Sequence, residues 1–117
     1  AVKASQEAGI SHIVYTSLAS ADDSPVLFAP DHAKTEEAIA ESGMGYTILR
    51  NNLYMDLLIQ SVGQAYQMGG IYGASADGKT AYITREDCAH AAASALSATF
   101  NGKRILNITG AEALSQA

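Results

Sequence analysis

HIVYTSLASADDSPVLFAPDHAKTEEAIAESGMGYTILRN, residues 12–51, is the stretch whose reading decides the fold. It begins with HIVYTS, a compact β-branched and aromatic run of the kind found in strands buried on both faces. It ends with YTILRN, a second run of the same character. Between them comes a loop with turn-forming Asp, Ser and Pro, then a segment that predicts a helix over 32–42. Asp31 is the expected N-cap, and Glu36 and Glu37 follow early, though not at the strict capping-box position. His32 and Ile39 are seven residues apart and share one face. Ile39 is therefore expected to meet the sheet, with His32 pointing the same way at the helix start. Strand, crossover helix and strand make the unit of a parallel sheet.

Working outward from that unit, residues 1–8 read as the last turns of a helix, with Gly9 at the left-handed C′ position and Ile10 as the apolar residue that follows it. Downstream, 54–68 predicts another helix, with Leu57, Leu58, Ser61, Val62 and Ala65 on one broad face. GGIYGAS and KTAYIT are short strand candidates around Asp77-Gly78, a tight-turn dipeptide. Thr84 and Asp87 form a capping box with Asp in the place usually held by Glu. The helix they open, 85–98, is expected to turn Ala89, Ala92, Ala93 and Leu96 inward, and RILNIT is the last strand. The order β-α-β-α-(ββ)-α-β predicts an α/β fold, a Rossmann-like parallel sheet with flanking helices.

At 117 residues the chain has the length of one small domain. Its net charge is −5 and its few basic residues form no stripe, which argues against nucleic-acid binding through phosphates. No apolar run approaches the roughly 20 residues that span a bilayer, and the opening AVKASQEAGISH shows no secretory pattern. A cytoplasmic location without membrane attachment is the expectation. Cys88 is the only cysteine, so no internal disulfide can form, and in DCAHAAASAL it reads as core filler and not as a nucleophile. There is no initiator Met, the chain opens in helix-like sequence, and GAEALSQA closes it like the start of an element. Both ends read as those of a fragment.

Parallel α/β sheets bind ligands beyond the strand C-termini, which directs attention to Thr16–Ser20 and Arg50–Tyr54. Both stretches are polar where a strand exits, although ordinary strand-to-helix turn chemistry gives the same polarity. No G-x-G-x-x-G or G-x-x-G-x-x-G follows a strand: Gly43 and Gly45 precede one, and Gly69, Gly70 and Gly73 have the wrong spacing. None of the six tyrosines has lysine four residues on, so the Tyr-x-x-x-Lys acid of short-chain reductases is absent. His12, His32 and His90 fall in three elements at no metal-ligand spacing. His12 reads as a surface residue ahead of its strand and His90 as a helix-surface residue, which leaves His32 as the site candidate.

HIVYTSLASADDSP followed by DHAKTEEAIAESGMGYTILRNNLYMD resembles the NmrA-like branch of atypical short-chain dehydrogenases, and within it the type 2 NAD(P)H:quinone oxidoreductases. The spacing from Asp31-His32 to Thr35-Glu36, to the Ser42-Gly43 stop and to YTILRN carries the resemblance, and DGKTAYITREDCAHAAA and RILNITGAEALS also fit. It covers essentially all of this chain but under half of a family member. It implies that residues 1–117 are a partial NAD(P)-binding Rossmann-like domain, lacking the N-terminal glycine-rich motif and extending to the start of the substrate region.

By the same resemblance, Asn51, Asn52, Leu53 and Tyr54 would line the nicotinamide side of a cleft. Tyr15, Thr16 and Ser17 would border it at the first strand's end, and Thr84 and Arg85 would make a later contact. His32 stands where reductase relatives have their catalytic lysine, and quinone-reducing relatives tend to have histidine there. The implied cofactor is NADP or NAD, with NADPH favoured, and the implied activity is hydride transfer to a small-molecule quinone, in a protein that a homodimer would suit. Quinone reduction leaves a phenolate-like oxygen with a conjugate-acid pKa of roughly 10, so the missing strong acid is tolerable. The missing acid fits equally a non-catalytic NmrA-like protein that senses the nucleotide's redox state. It counts against a third reading, a sugar-nucleotide epimerase or reductase.

Overall fold

Strand β1 (His12–Leu18) lies beside β2 (Gly45–Asn51) in parallel, with His12 opposite Gly45 and Leu18 opposite Asn51. This is a computed structural model, and it describes residues 1–70 and 77–115. On its other edge β2 pairs, also in parallel, with β4 (Lys103–Ile108), which starts one residue before the expected RILNIT. The sheet order is β1-β2-β4, so the three C-termini emerge at one end. The fold is α/β with a Rossmann-like parallel sheet, as the alternating pattern predicts.

Helix α1 (Val2–Glu7) ends in the expected way. Gly9 takes φ 74°, and the Ile10 and Gly9 amides donate to the Ser5 and Gln6 carbonyls, the paired bonds of a Schellman stop. Helix α2 (Ala29–Glu41) begins three residues earlier than predicted. Its N-cap is Phe28, which makes no side-chain cap, and Asp31 sits inside the first turn. Pro30 accounts for the shift, because its fixed φ suits a first turn whose amides lack helical partners anyway. Asp31 then acts as a favourable charge near the positive end of the helix.

Helix α3 (Met55–Met68) buries nothing fully. Leu58, Ser61 and Ala65 are half-buried as expected, but Leu57 and Val62 remain 48% and 53% exposed. Of KTAYIT only β3 (Lys79–Thr80) is strand, paired antiparallel with β5 (Leu114–Ser115). Ile83 instead makes a single bridge to Tyr54. Most of the GGIYGAS candidate lies outside the described residues.

Helix α4 (Arg85–Ser97) starts on Thr84, whose hydroxyl oxygen accepts from the Asp87 amide at 3.0 Å and donates to the Asp87 carboxylate at 2.8 Å. The expected Thr-Asp cap is therefore present, with the return bond made to the hydroxyl. The Thr84→Ala variant is expected to cost about 1 kcal/mol, to be read as a lowered thermal midpoint of the complete protein. The inward face of α4 is not the predicted one. Cys88 and Ala95 are buried and Ala91 and Ala92 half-buried, while Leu96 is 72% exposed. An alanine-rich helix offers little periodic contrast, and Leu96 draws the reading one residue around the cylinder.

The centre of the core is Ile39 on α2 with Thr47, Ile48 and Leu49 on β2, all nearly inaccessible to water. Ile39 thus meets the sheet as its spacing predicts. Cys88 is buried too, and burial, followed by the Asp87 and Asp56 carboxylates, pushes its thiol pKa up. That is the behaviour of core filler. His12 departs from its surface reading. It is the first residue of β1 and half-buried, with Nε2 3.1 Å from Thr47 Oγ1 and its ring edge-on to Phe100. Among the described residues no helix is long and apolar enough to cross a membrane.

Candidate functional site

At the C-terminal end of the sheet the ends of β1 and β2, the start of α2 and the 51–57 segment enclose a cavity of about 230 Å³. Seven of the ten residues proposed from sequence line it: Thr16, Ser17, His32, Asn51, Asn52, Leu53 and Tyr54. Leu18, Phe28 and Leu57 complete the lining, three apolar side chains that no motif marks. A second hollow, bounded by Leu58, Ser61 and Tyr82, shares the wall formed by Leu53, Tyr54 and Leu57.

The parallel register explains how the polar side chains reach this place. Residues opposite one another on neighbouring strands point to the same face. Ser17 is opposite Arg50, and both reach Glu36 on α2. The Ser17 hydroxyl donates to Glu36 Oε1 at 2.5 Å. Arg50 grips both carboxylate oxygens, Nη2 donating to Oε2 at 2.7 Å and Nε lying 3.1 Å from Oε1. A weaker bond runs from Nη1 to the exposed Asp22. The side chains of Glu36 and Arg50 are 8% and 18% exposed, so the ion pair is largely dry. The hydrogen bonds Arg50 donates to Glu36 raise its pKa above the ordinary value, with burial opposing and the charges of Glu36 and Asp22 adding.

One turn before Glu36 on the same helix face stands His32. Its Nδ1 lies 2.8 Å from the hydroxyl of Tyr15, two residues before Ser17 on β1. Phe28 meets the same imidazole edge-on. Tyr15 is therefore behind the cavity wall and bears on the cavity only by holding His32. Thr84 and Arg85 are also outside the lining. Thr84 is engaged in capping α4, and the Arg85 guanidinium sits 5.5 Å over the Tyr54 ring.

The arrangement sets limits on the chemistry. The Ser17 proton is committed to a carboxylate, so Ser17 can only accept a hydrogen bond from a ligand. Asn51 is 4% exposed, and its amide nitrogen donates to the Tyr54 hydroxyl at 3.3 Å while its sealed amide oxygen has no partner among the described residues. The volume is below the usual range for a whole drug-sized ligand of roughly 300–1,000 Å³, and it is ample for one aromatic ring. The residues present thus fit a nicotinamide head group. Among the described residues no group of three or more His, Cys, Asp and Glu is gathered as for a metal ion.

No family profile matches the chain. Quinone oxidoreductase 2 of Escherichia coli strain K12 is 39% identical to it over 109 residues, 93% of this chain and 38% of the relative. The NAD(P)H azoreductase of Xenophilus azovorans is 29% identical over 117 residues, 99% of this chain and 41% of the relative. The crystal structure of the E. coli NADPH-dependent quinone oxidoreductase with NADPH superposes with a TM-score of 0.89 over 96% of this chain and 40% of that one. The Citrobacter triphenylmethane reductase with NADP(H) is 32% identical and superposes with a TM-score of 0.86, covering 98% and 41%. The chain spans about two fifths of the length of these relatives. Over that span it is homologous to quinone oxidoreductase 2, and its fold is that of the two NADP(H)-binding reductases it superposes on.

Proposed function

We propose that the complete protein is an NAD(P)H-dependent quinone oxidoreductase, with NADPH the favoured cofactor and a small quinone the acceptor. The observation that carries this reading is the His32 imidazole. It is held by Tyr15 at Nδ1 and set in the wall of a ring-sized, largely apolar cavity at the sheet's C-terminal end. The named relatives, which reduce quinones, azo compounds and triphenylmethane compounds by their names, have conjugated acceptors in common.

In this reading Asn51, Asn52, Leu53 and Tyr54 hold the nicotinamide side, Thr16 and Ser17 border it, and Thr84 and Arg85 flank Tyr54. The bound cofactor supplies a hydride, and the residues here supply position, exclusion of water and a proton. The apolar side chains of Leu18, Phe28, Leu53 and Leu57 pack against the acceptor ring, and orientation alone carries much of the rate when the product oxygen is a weak base. The glycine-rich grip on the pyrophosphate is then the work of other parts of the complete protein.

NADPH oxidation by the complete protein with a small benzoquinone is the test. Absence of turnover in a protein that binds NADPH would sink the reading. The His32→Ala variant is expected to lower kcat by about 100-fold, the lower end of what a positioned acid supplies. Its dissociation constant for NADPH is expected to change less than threefold. Equal losses in both would remove His32 from the chemistry.

A further inference from the structure

We propose that Tyr15, which touches neither cavity nor ligand, is the positioning residue of this site: its hydroxyl holds His32 in the tautomer protonated on Nε2 and feeds the proton that His32 gives to the quinone oxygen. The proposal rests on the quinone-reductase reading. Its ground is the 2.8 Å contact between Tyr15 Oη and His32 Nδ1, together with the placement of the two residues. Both are half-buried, one on β1 and one in the first turns of α2. His32 lines the cavity and Tyr15 does not.

A neutral imidazole has one donor nitrogen and one acceptor nitrogen, and a phenol can play either part. The phenol is the better donor of the two and the imidazole nitrogen the better acceptor, so the Tyr15 O–H donates to Nδ1. That choice leaves the ring proton on Nε2. Among the described residues Nε2 has no protein partner, and the ring carrying it borders the cavity. The neighbouring hydroxyl, that of Ser17, is committed to Glu36. His32 Nε2–H is thus a donor held in place for an acceptor oxygen, with the second proton of the pair stored behind it.

The proton step balances. Hydride from a dihydronicotinamide reduces the quinone to a hydroquinone monoanion and leaves the nicotinamide oxidised. The Nε2–H bond of His32 breaks as the O–H bond of the hydroquinone forms. The Tyr15 O–H bond breaks as Nδ1–H forms; once the hydroquinone has left, water gives a proton to Nε2 as the Nδ1 proton returns to the Tyr15 oxygen, which restores the starting tautomer. The net transfer runs from one phenolic oxygen to another through a neutral imidazole, so no charged imidazolium has to be formed. The sequence shows no Tyr-x-x-x-Lys, yet the fold assembles a tyrosine and a nitrogen base from residues 17 apart on different elements.

The Tyr15→Phe variant of the complete protein separates this from a packing role. Nitrogen chemical shifts of the His32 ring are expected to show Nε2–H alone in the parent protein and a mixture of tautomers in the variant. A parent ring protonated on Nδ1, or an unchanged variant, overturns the proposal. In kinetics, kcat is expected to fall about tenfold with tetramethylbenzoquinone, whose reduced anion is the more basic, and by less than twofold with tetrachlorobenzoquinone. NADPH affinity is expected to stay unchanged. The tenfold loss lies below the roughly 100-fold of a strong acid because the product oxygen is a weak base. A loss of equal size across both quinones, or none, overturns the relay. If the parent reduces no quinone, the functional reading and the relay fall together, and the ring shifts alone decide whether Tyr15 sets the tautomer.

Discussion

Glu36→Ala is expected to lower the unfolding free energy by about 3 kcal/mol, the low end of the usual cost of removing one member of a buried ion pair. The low end applies because the Arg50 side chain keeps 18% of its surface exposed. The loss comes from what is left behind. Arg50 loses all three of its bonds to the carboxylate, keeping only the weak contact with exposed Asp22, and Ser17 loses its acceptor. Replacing the two together, Glu36→Met with Arg50→Met, is expected to recover most of the stability, since an apolar pair carries no desolvation debt. Urea midpoints at constant m-value measure both. A double variant no more stable than Glu36→Ala would show that the network contributes attraction beyond mutual compensation. His32 sits one turn from Glu36 on the same helix face, so Glu36→Ala is also expected to loosen the Tyr15 contact, whereas the double variant keeps α2 packed.

The central β-α-β unit was legible because its signals are local. HIVYTS and YTILRN are compact apolar runs, and Gly9 supplies the one backbone conformation its helix stop requires. The Thr84–Asp87 cap is local too, closing over three residues. Most of the cavity lining could be placed as well, since the ends of two parallel strands define where a ligand sits. What escaped are pairings that only register creates. Nothing near Ser17 announces that Arg50 lies opposite it, and nothing near His32 announces Tyr15. Polar residues at a strand exit read as turn chemistry until their partners are known. The face of α4 escaped for another reason. With alanine at so many positions the burial of Cys88 and Ala95 in preference to Leu96 is decided by what the helix packs on, and not by its own pattern. His12 likewise became a half-buried partner of Thr47 because Thr47 lies on the neighbouring strand of the core.

Gly110→Ala is expected to be the most damaging glycine-to-alanine change at the glycines whose surroundings are described, costing about 3 kcal/mol, the upper part of the overpacking range, and weakening NADPH binding at least tenfold. A Cβ at Gly110 would overlap the Tyr82 carbonyl oxygen and come within 3.0 Å of its carbon. These are main-chain atoms, so no side-chain rotation relieves the clash and the 81–83 segment has to move. That segment is clamped on both sides. The Gly110 amide donates to the Ala81 carbonyl at 3.3 Å, the Ile83 amide to Leu53 at 3.1 Å, and the Met55 amide to Ile83 at 2.8 Å. Leu53 and Tyr54, which form the wall shared by the two hollows, therefore rest on residues 81–83, and these rest on Gly110. A displacement there passes to the cavity through backbone bonds, which transmit it with little slack. Equilibrium binding of NADPH well below the melting temperature separates this effect from lost stability. A destabilised Gly110→Ala protein with unchanged NADPH affinity would mean that the clamp ends at Ile83, and that Leu53 and Tyr54 are held in place by α3 alone.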